Sequence, residues 1–126
     1  MKSNQEILDR FGQLLVESVF DNQYRFIKNN IETLTKTEGY QSLFDQMTEK
    51  QKTELEFYTR EILAGALFDF LKIFEEHPEF KIIYTETSRT IDLNEASEML
   101  KAEAIIEDGW IRRFSKYHAD FNAFKV

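Results

Sequence analysis

Two histidines and no cysteine leave nucleophilic and metal chemistry few places to sit in this chain. His118 and Asp120, in "HADF", are spaced so that a carboxylate could orient an imidazole, as in a general-base pair. No nucleophile or further ligand accompanies them in a recognisable pattern. Asp69, Glu79 and Lys81 can be set beside the Asp…Glu-x-Lys arrangement of metal-dependent nucleases, in which acids hold a metal and the lysine stands near the reacting phosphate. Asp69 is expected in mid-helix, more than two turns from the strand carrying the other two, so that match is disfavoured. A di-metal carboxylate bundle would need Glu-x-x-His on its helices. The residues three before His77 and His118 are Phe74 and Ser115. His77, directly before Pro78, reads as a helix C-terminus, where a cation favours the dipole. Gly-rich phosphate loops, Gly-x-Ser-x-Gly and His-Glu-x-x-His are all missing. The expectation is therefore no catalytic residue, no metal ligand and no cofactor, leaning away from an enzyme.

What the sequence does concentrate is carboxylate. The formal charge is −7, unevenly spread. Residues 79–109 carry three Lys/Arg against eight acids, whereas 110–126 carry four against one. Glu75, Glu76, Glu79 and Glu86 gather around an expected hairpin, and Glu103, Glu107 and Asp108 precede Trp110. The alternating acids and sharp-turn glycine of a calcium loop are missing, so these seven residues are expected to meet a basic protein partner instead. An acidic body repels the phosphate backbone. "WIRRFSKY" has the residue types that stack on bases, but its spacing puts the aromatics on the face that should be buried, so nucleic acid is disfavoured.

The elements that must position these groups are mostly helical. Four glycines and one proline suit long helices, and twelve phenylalanines supply apolar area from few side chains. Ser3 and Glu6 form a capping-box pattern, followed by an apolar stripe from Ile7 to Val19. Asp21 or Asn22 is expected to cap a separate second helix, a break being preferred to the alternative that the two run together with a bend, with Gly39 as a stop and a short helix over Tyr40–Met47. Thr48 and Gln51 repeat the capping box and open the longest helix, about Glu49–His77, which Pro78 ends. Period-two alternation at Phe80, Ile82 and Tyr84 predicts a strand, and "TETSR" turns it back toward "TIDL" as a hairpin. Asn94 is expected to cap a helix through about Ile105, with Met99, Leu100 and Ile105 facing inward and Gly109 breaking it. A short amphipathic helix follows at Trp110, and Phe121 and Phe124 suggest that the end docks.

On a wheel of the long helix, apolar residues cover well over half the circumference. Glu54, Glu61, Gly65, Asp69, Lys72 and Glu76 fall in the remaining strip. Asp69 is thus expected on the polar seam of a helix packed on most sides, and not as a charge within a membrane span. No segment approaches the ~20 apolar residues of such a span, and "MKSNQEILDR" lacks a signal-peptide core.

Together these point to a mainly α, single-domain helical fold over residues 1–126, built around a long central helix with a small β-hairpin after it, and cytoplasmic. The leading functional expectation is a non-enzymatic binding protein whose acidic surface meets a basic protein, with no membrane partner. The profile is similar to that of toxin-neutralising immunity proteins, a likeness of composition and not of motif. The alternatives are a helical domain binding or turning over a small apolar ligand in a Phe-lined pocket, and a homo-oligomeric structural subunit.

Overall fold

The computed structural model describes residues 2–117. His118, Asp120, Phe121 and Phe124 lie outside them, and with them the expected His–Asp pair and docking tail. The described chain is mainly α, with a long helix followed by a two-stranded antiparallel hairpin. None of its helices is long and apolar enough to cross a membrane.

Helix α1 (Asn4–Leu15) starts on the expected capping box: the Ser3 hydroxyl accepts from the Glu6 amide, and the Glu6 carboxylate accepts from the Ser3 amide. The break expected at Asp21 or Asn22 is absent. A single π turn (Val16–Phe20) joins α1 to α2 (Asp21–Leu34), and the Asp21 amide bonds the Val16 carbonyl within one unbroken helical run. The wider turn brings Val16, Phe20, Asp21 and Tyr24 all inward. Asp21 is therefore no cap. It is a buried carboxylate with a tertiary task. Beyond α2, Gly39 has φ +95°, a left-handed conformation suited to glycine, in the loop before α3 (Gln41–Phe44).

Helix α4 (Glu49–Glu76) opens on the second expected box, with Thr48 and Gln51 satisfying each other's backbone donors, and closes at His77, whose amide bonds the Ile73 carbonyl. Strands β1 (Ile83–Glu86) and β2 (Arg89–Asp92) pair around Thr87 and Ser88, with Tyr84 opposite Ile91 and Glu86 opposite Arg89. A lone hairpin is marginal in water. This one leans Ile82, Tyr84 and Ile91 on the core.

The helix expected from Asn94 to Ile105 is not formed. Asp92, not Asn94, caps the single turn α5 (Leu93–Ala96), by accepting from the Asn94 amide. Ser97 is extended, and a 3₁₀ turn (Leu100–Ala102) follows. Leu100 is buried as expected, but Met99 and Ile105 point to solvent, because the interruption at Ser97 resets the helical phase. Side chains substitute for the missing ladder: Ser97 Oγ donates to Glu103 at 2.8 Å, and Glu75 accepts from the Lys101 amide at 2.8 Å. Gly109 does not end a helix but begins one, α6 (Trp110–Phe114).

The core gathers Ile7, Leu8, Val16 and Phe20 from the first helical run, Leu67 and Leu71 from α4, and Leu93, Leu100, Trp110 and Ile111 from the last third. Helix α6 lies against α1. The fully buried Trp110 ring rests on Gly12 and meets Phe11 edge to face at 5.8 Å. Arg113 bonds Asp9 at 2.8 Å, and Asp21 accepts from Ser115 Oγ at 2.6 Å and from the Lys116 amide at 2.9 Å.

The Asp9–Arg113 pair carries a pH dependence. The Arg113 hydrogen bond holds the Asp9 carboxyl below its ordinary value against a smaller opposing effect of burial. A lowered folded pKa contributes stability that is present above the unfolded value and is lost as pH falls through the folded one, here below roughly pH 4. Both side chains are about one third exposed, and solvent screening keeps such pairs within about 1 kcal/mol. Asp9→Asn is expected to be less stable than the parent by that order at pH 6, with the gap narrowing progressively as the pH is taken from 4 toward 2. Urea melts showing an equal gap at pH 6 and at pH 2 would refute the assignment.

Candidate interaction surface

The seven acids singled out from the sequence do not form one uniform patch. Glu75 pairs with Lys101 Nζ at 3.4 Å besides holding its amide. Glu86 is paired with Arg89 across the hairpin end, and Glu103 accepts from Ser97. These three hold the last third of the chain together. Glu76 is exposed on the last turn of α4, 3.5 Å from Lys72. Glu79 lies 3.9 Å from His77 Nδ1, and Glu107 and Asp108 are exposed before α6. Sequence position put all seven together; only Glu76, Glu79, Glu107 and Asp108 are left to face solvent.

The Asp69, Glu79 and Lys81 set is not assembled either. Asp69 lines a shallow recess with Glu61, Gly65, Phe68 and Ile105, while Lys81 pairs with Asp92 at 3.7 Å beyond the end of the helix. Among the described residues no group of three or more His, Cys, Asp or Glu is placed to hold a metal ion. In "WIRRFSKY" the Trp110 and Ile111 side chains are buried, as their spacing predicts, and Arg113 is engaged by Asp9 and its own neighbour Phe114. A recess of about 400 Å³ at the end of α4 is lined by Glu75, Lys81, Asp92 and Glu98, among others, but Lys101 and Lys81 already compensate Glu75 and Asp92.

The largest departure from expectation is α4 itself. Its apolar arc is as wide as the wheel predicts, yet the rest of the described residues cover only part of it. Arg60, Leu67 and Leu71 are buried against the rest of the fold. On the opposite side Tyr58, Ile62, Phe70 and Ile73 are 60%, 53%, 47% and 45% exposed. Of these, Ile62, Phe70 and Ile73 form with exposed Ala66 a ridge spanning about 80° of the helix, with Tyr58 standing at its acidic edge. Glu54, Glu61 and Asp69 run along one edge of it, all exposed. Asp69 does stand on the polar seam, but the seam borders an open apolar ridge and not a packed one.

Two buried charges escaped the sequence reading. Asp21 looked like a cap. Arg60 sits in the long helix, with its guanidinium 5.6 Å from the Tyr24 ring centre and 5.2 Å from that of Phe57. Tyr24 also meets Tyr117 edge to face at 4.8 Å. The only signal for Arg60 was its place on the wheel, opposite Tyr58 and Ile62.

No family model, no curated protein and no solved structure matches this chain.

Proposed function

We propose that the protein is a non-enzymatic binding protein, inhibitor-like in its mode of action, that takes a basic protein partner through an acidic surface centred on the outer face of α4. The observation that carries this reading is the ridge of Tyr58, Ile62, Phe70 and Ile73, exposed along one helix and edged by Glu54, Glu61 and Asp69. Large apolar side chains at helical spacing suit the anchors of a helix–groove or helix–helix contact, where desolvating a few of them supplies most of the affinity. The acids along the edge would then select a segment with Lys or Arg beside its apolar face and speed its approach. Glu76, Glu79, Glu107 and Asp108 add to the same field.

The test is a tagged capture from the native host, washed at low and then high salt, run in parallel with Ile62→Asp, Phe70→Asp and Glu61→Lys. A basic protein retained by the parent, captured less well at high salt and lost with the three variants supports the reading. All three sites face solvent, so circular dichroism should stay unchanged. Empty beads at low salt, or equal capture by parent and variants, would overturn it. Light scattering that shows a dimer dispersed by Ile62→Asp would assign the ridge to a second copy of the chain instead.

A further inference from the structure

We infer that the cleft between α1 and the hairpin is a binding site for a small apolar carboxylate, independent of the α4 ridge. The cleft encloses about 310 Å³. That lies at the lower end of the range of small-molecule sites and holds roughly ten methylene-sized groups at about 30 Å³ each. Its walls are aliphatic and aromatic, Phe11 and Leu14 from α1 facing Ile83 and Tyr84 from β1. Leu14 and Ile83 are among the exposed large apolar residues of the fold, and both are exposed into this opening.

The charge at the rim decides the ligand class. Although the whole chain is at −7, the charged residues lining this cleft are Lys2 and Arg10, and no acid is among its lining residues. The acids of α1 are engaged elsewhere: Glu6 closes the capping box with Ser3, and Asp9 is held by Arg113 and Gln5. Lys2 and Arg10 make no ion pair among the described residues. Nor is Lys2 loosely placed. Arg89 of β2, held by Glu86 at the hairpin end, donates to the Lys2 carbonyl and ties the start of the chain to the hairpin whose first strand forms the other wall. A dry wall with two cations at its mouth matches a molecule with one apolar body and one anionic end. The apolar part leaves water, and the guanidinium of Arg10 can take both carboxylate oxygens while its stem lies along the wall.

The probes are decanoate, decanol and decylammonium, which share a chain and differ only in the head. Calorimetry and the emission of Trp110 are the readouts. Trp110 is the single tryptophan, and it lies edge-on to Phe11, which lines the cleft. Decanoate is expected to bind saturably at one site, at least tenfold tighter than decanol, with no saturable binding of decylammonium. Arg10→Gln should weaken decanoate at least tenfold, and Leu14→Phe, which fills the opening, should abolish it. Both residues are exposed, and an unchanged thermal midpoint without ligand will show that the variants fold. Failure of decanoate to saturate, equal affinity for decanol, or binding indifferent to either substitution would overturn the assignment. Loss of protein capture by the α4 variants would leave it untouched, so the two readings fail separately.

Discussion

Gly12→Ala is expected to destabilise the protein by about 3 kcal/mol, the reverse of what this substitution does in an ordinary helix. Alanine inside a helix is favoured over glycine by about 1 kcal/mol, because glycine loses more backbone freedom on folding. Gly12 lies within α1 with helical neighbours on both sides, so local propensity alone predicts a gain. Tertiary packing reverses the sign. A Cβ at position 12 would clash with Cγ, Cδ1 and Cδ2 of the Trp110 ring, far inside van der Waals contact. Neither side can yield easily, since the ring is fully buried and α6 is held by the Arg113 side chain on Asp9 and, just after its end, by Ser115 and Lys116 on Asp21. Overpacking of this kind costs about 1–3 kcal/mol and occasionally more. Here the propensity gain offsets a part, and the upper end applies because the whole helix must shift. The check is urea unfolding of Gly12→Ala, Trp110→Leu and the double variant. With the smaller leucine the methyl added at position 12 has room, so the two substitutions should be strongly non-additive, by about 1 kcal/mol or more. A stabilised Gly12→Ala would show that Trp110 does not rest on α1.

Asp21→Ala is expected to cost about 2–3 kcal/mol. The carboxylate is buried and accepts two hydrogen bonds, from the Ser115 hydroxyl and the Lys116 amide, across 94 and 95 residues of sequence. Hydrogen bonds to a charged acceptor are worth about 1.5–3 kcal/mol, and removing the acceptor takes both bonds from the segment after α6. Asp21→Asn should cost less, since one amide oxygen can still accept. Ser115→Ala should cost about 1 kcal/mol, because the Lys116 amide keeps its partner. The distinguishing readout is amide exchange: the Lys116 N–H should lose protection in Asp21→Ala before the helices of the core do. Unchanged protection there, with a stability loss below about 0.5 kcal/mol, would mean that this carboxylate does not hold the segment after α6.

What could be read from the sequence were the features decided within a few residues. Ser3 with Glu6 and Thr48 with Gln51 each set a helix start through contacts three residues apart, and both are present. Pro78 ends α4 by restricting its own neighbour, and the alternation around Tyr84 makes a strand whose return follows from a short polar turn. The same local logic failed where a neighbour distant in sequence intervened. Asp21 has the chemistry of a cap, but the π turn rotates it inward to meet Ser115. Residues 94–105 have helical periodicity, yet Ser97 breaks them and its hydroxyl serves Glu103 instead.

The acidic residues and the apolar arc of α4 show the same division at the level of function. By itself the sequence determined that the protein is mainly helical, acidic, and built on one long helix too apolar to be wetted all round. Periodicity states which residues want to leave water, not how many neighbours the chain can bring to them. A helix of 28 residues is about 42 Å long, more than the ~30 Å width of a small domain, and the rest of the described chain covers only one side of it. Only the tertiary structure decided which acids are spent on Lys101, Arg89 and Ser97, which charges stay at the mouth of the α1–hairpin cleft, and that Tyr58, Ile62, Phe70 and Ile73 are left facing outward. Those are questions of which surfaces meet, and surfaces meet through contacts between residues far apart in the chain, where local spacing has no say.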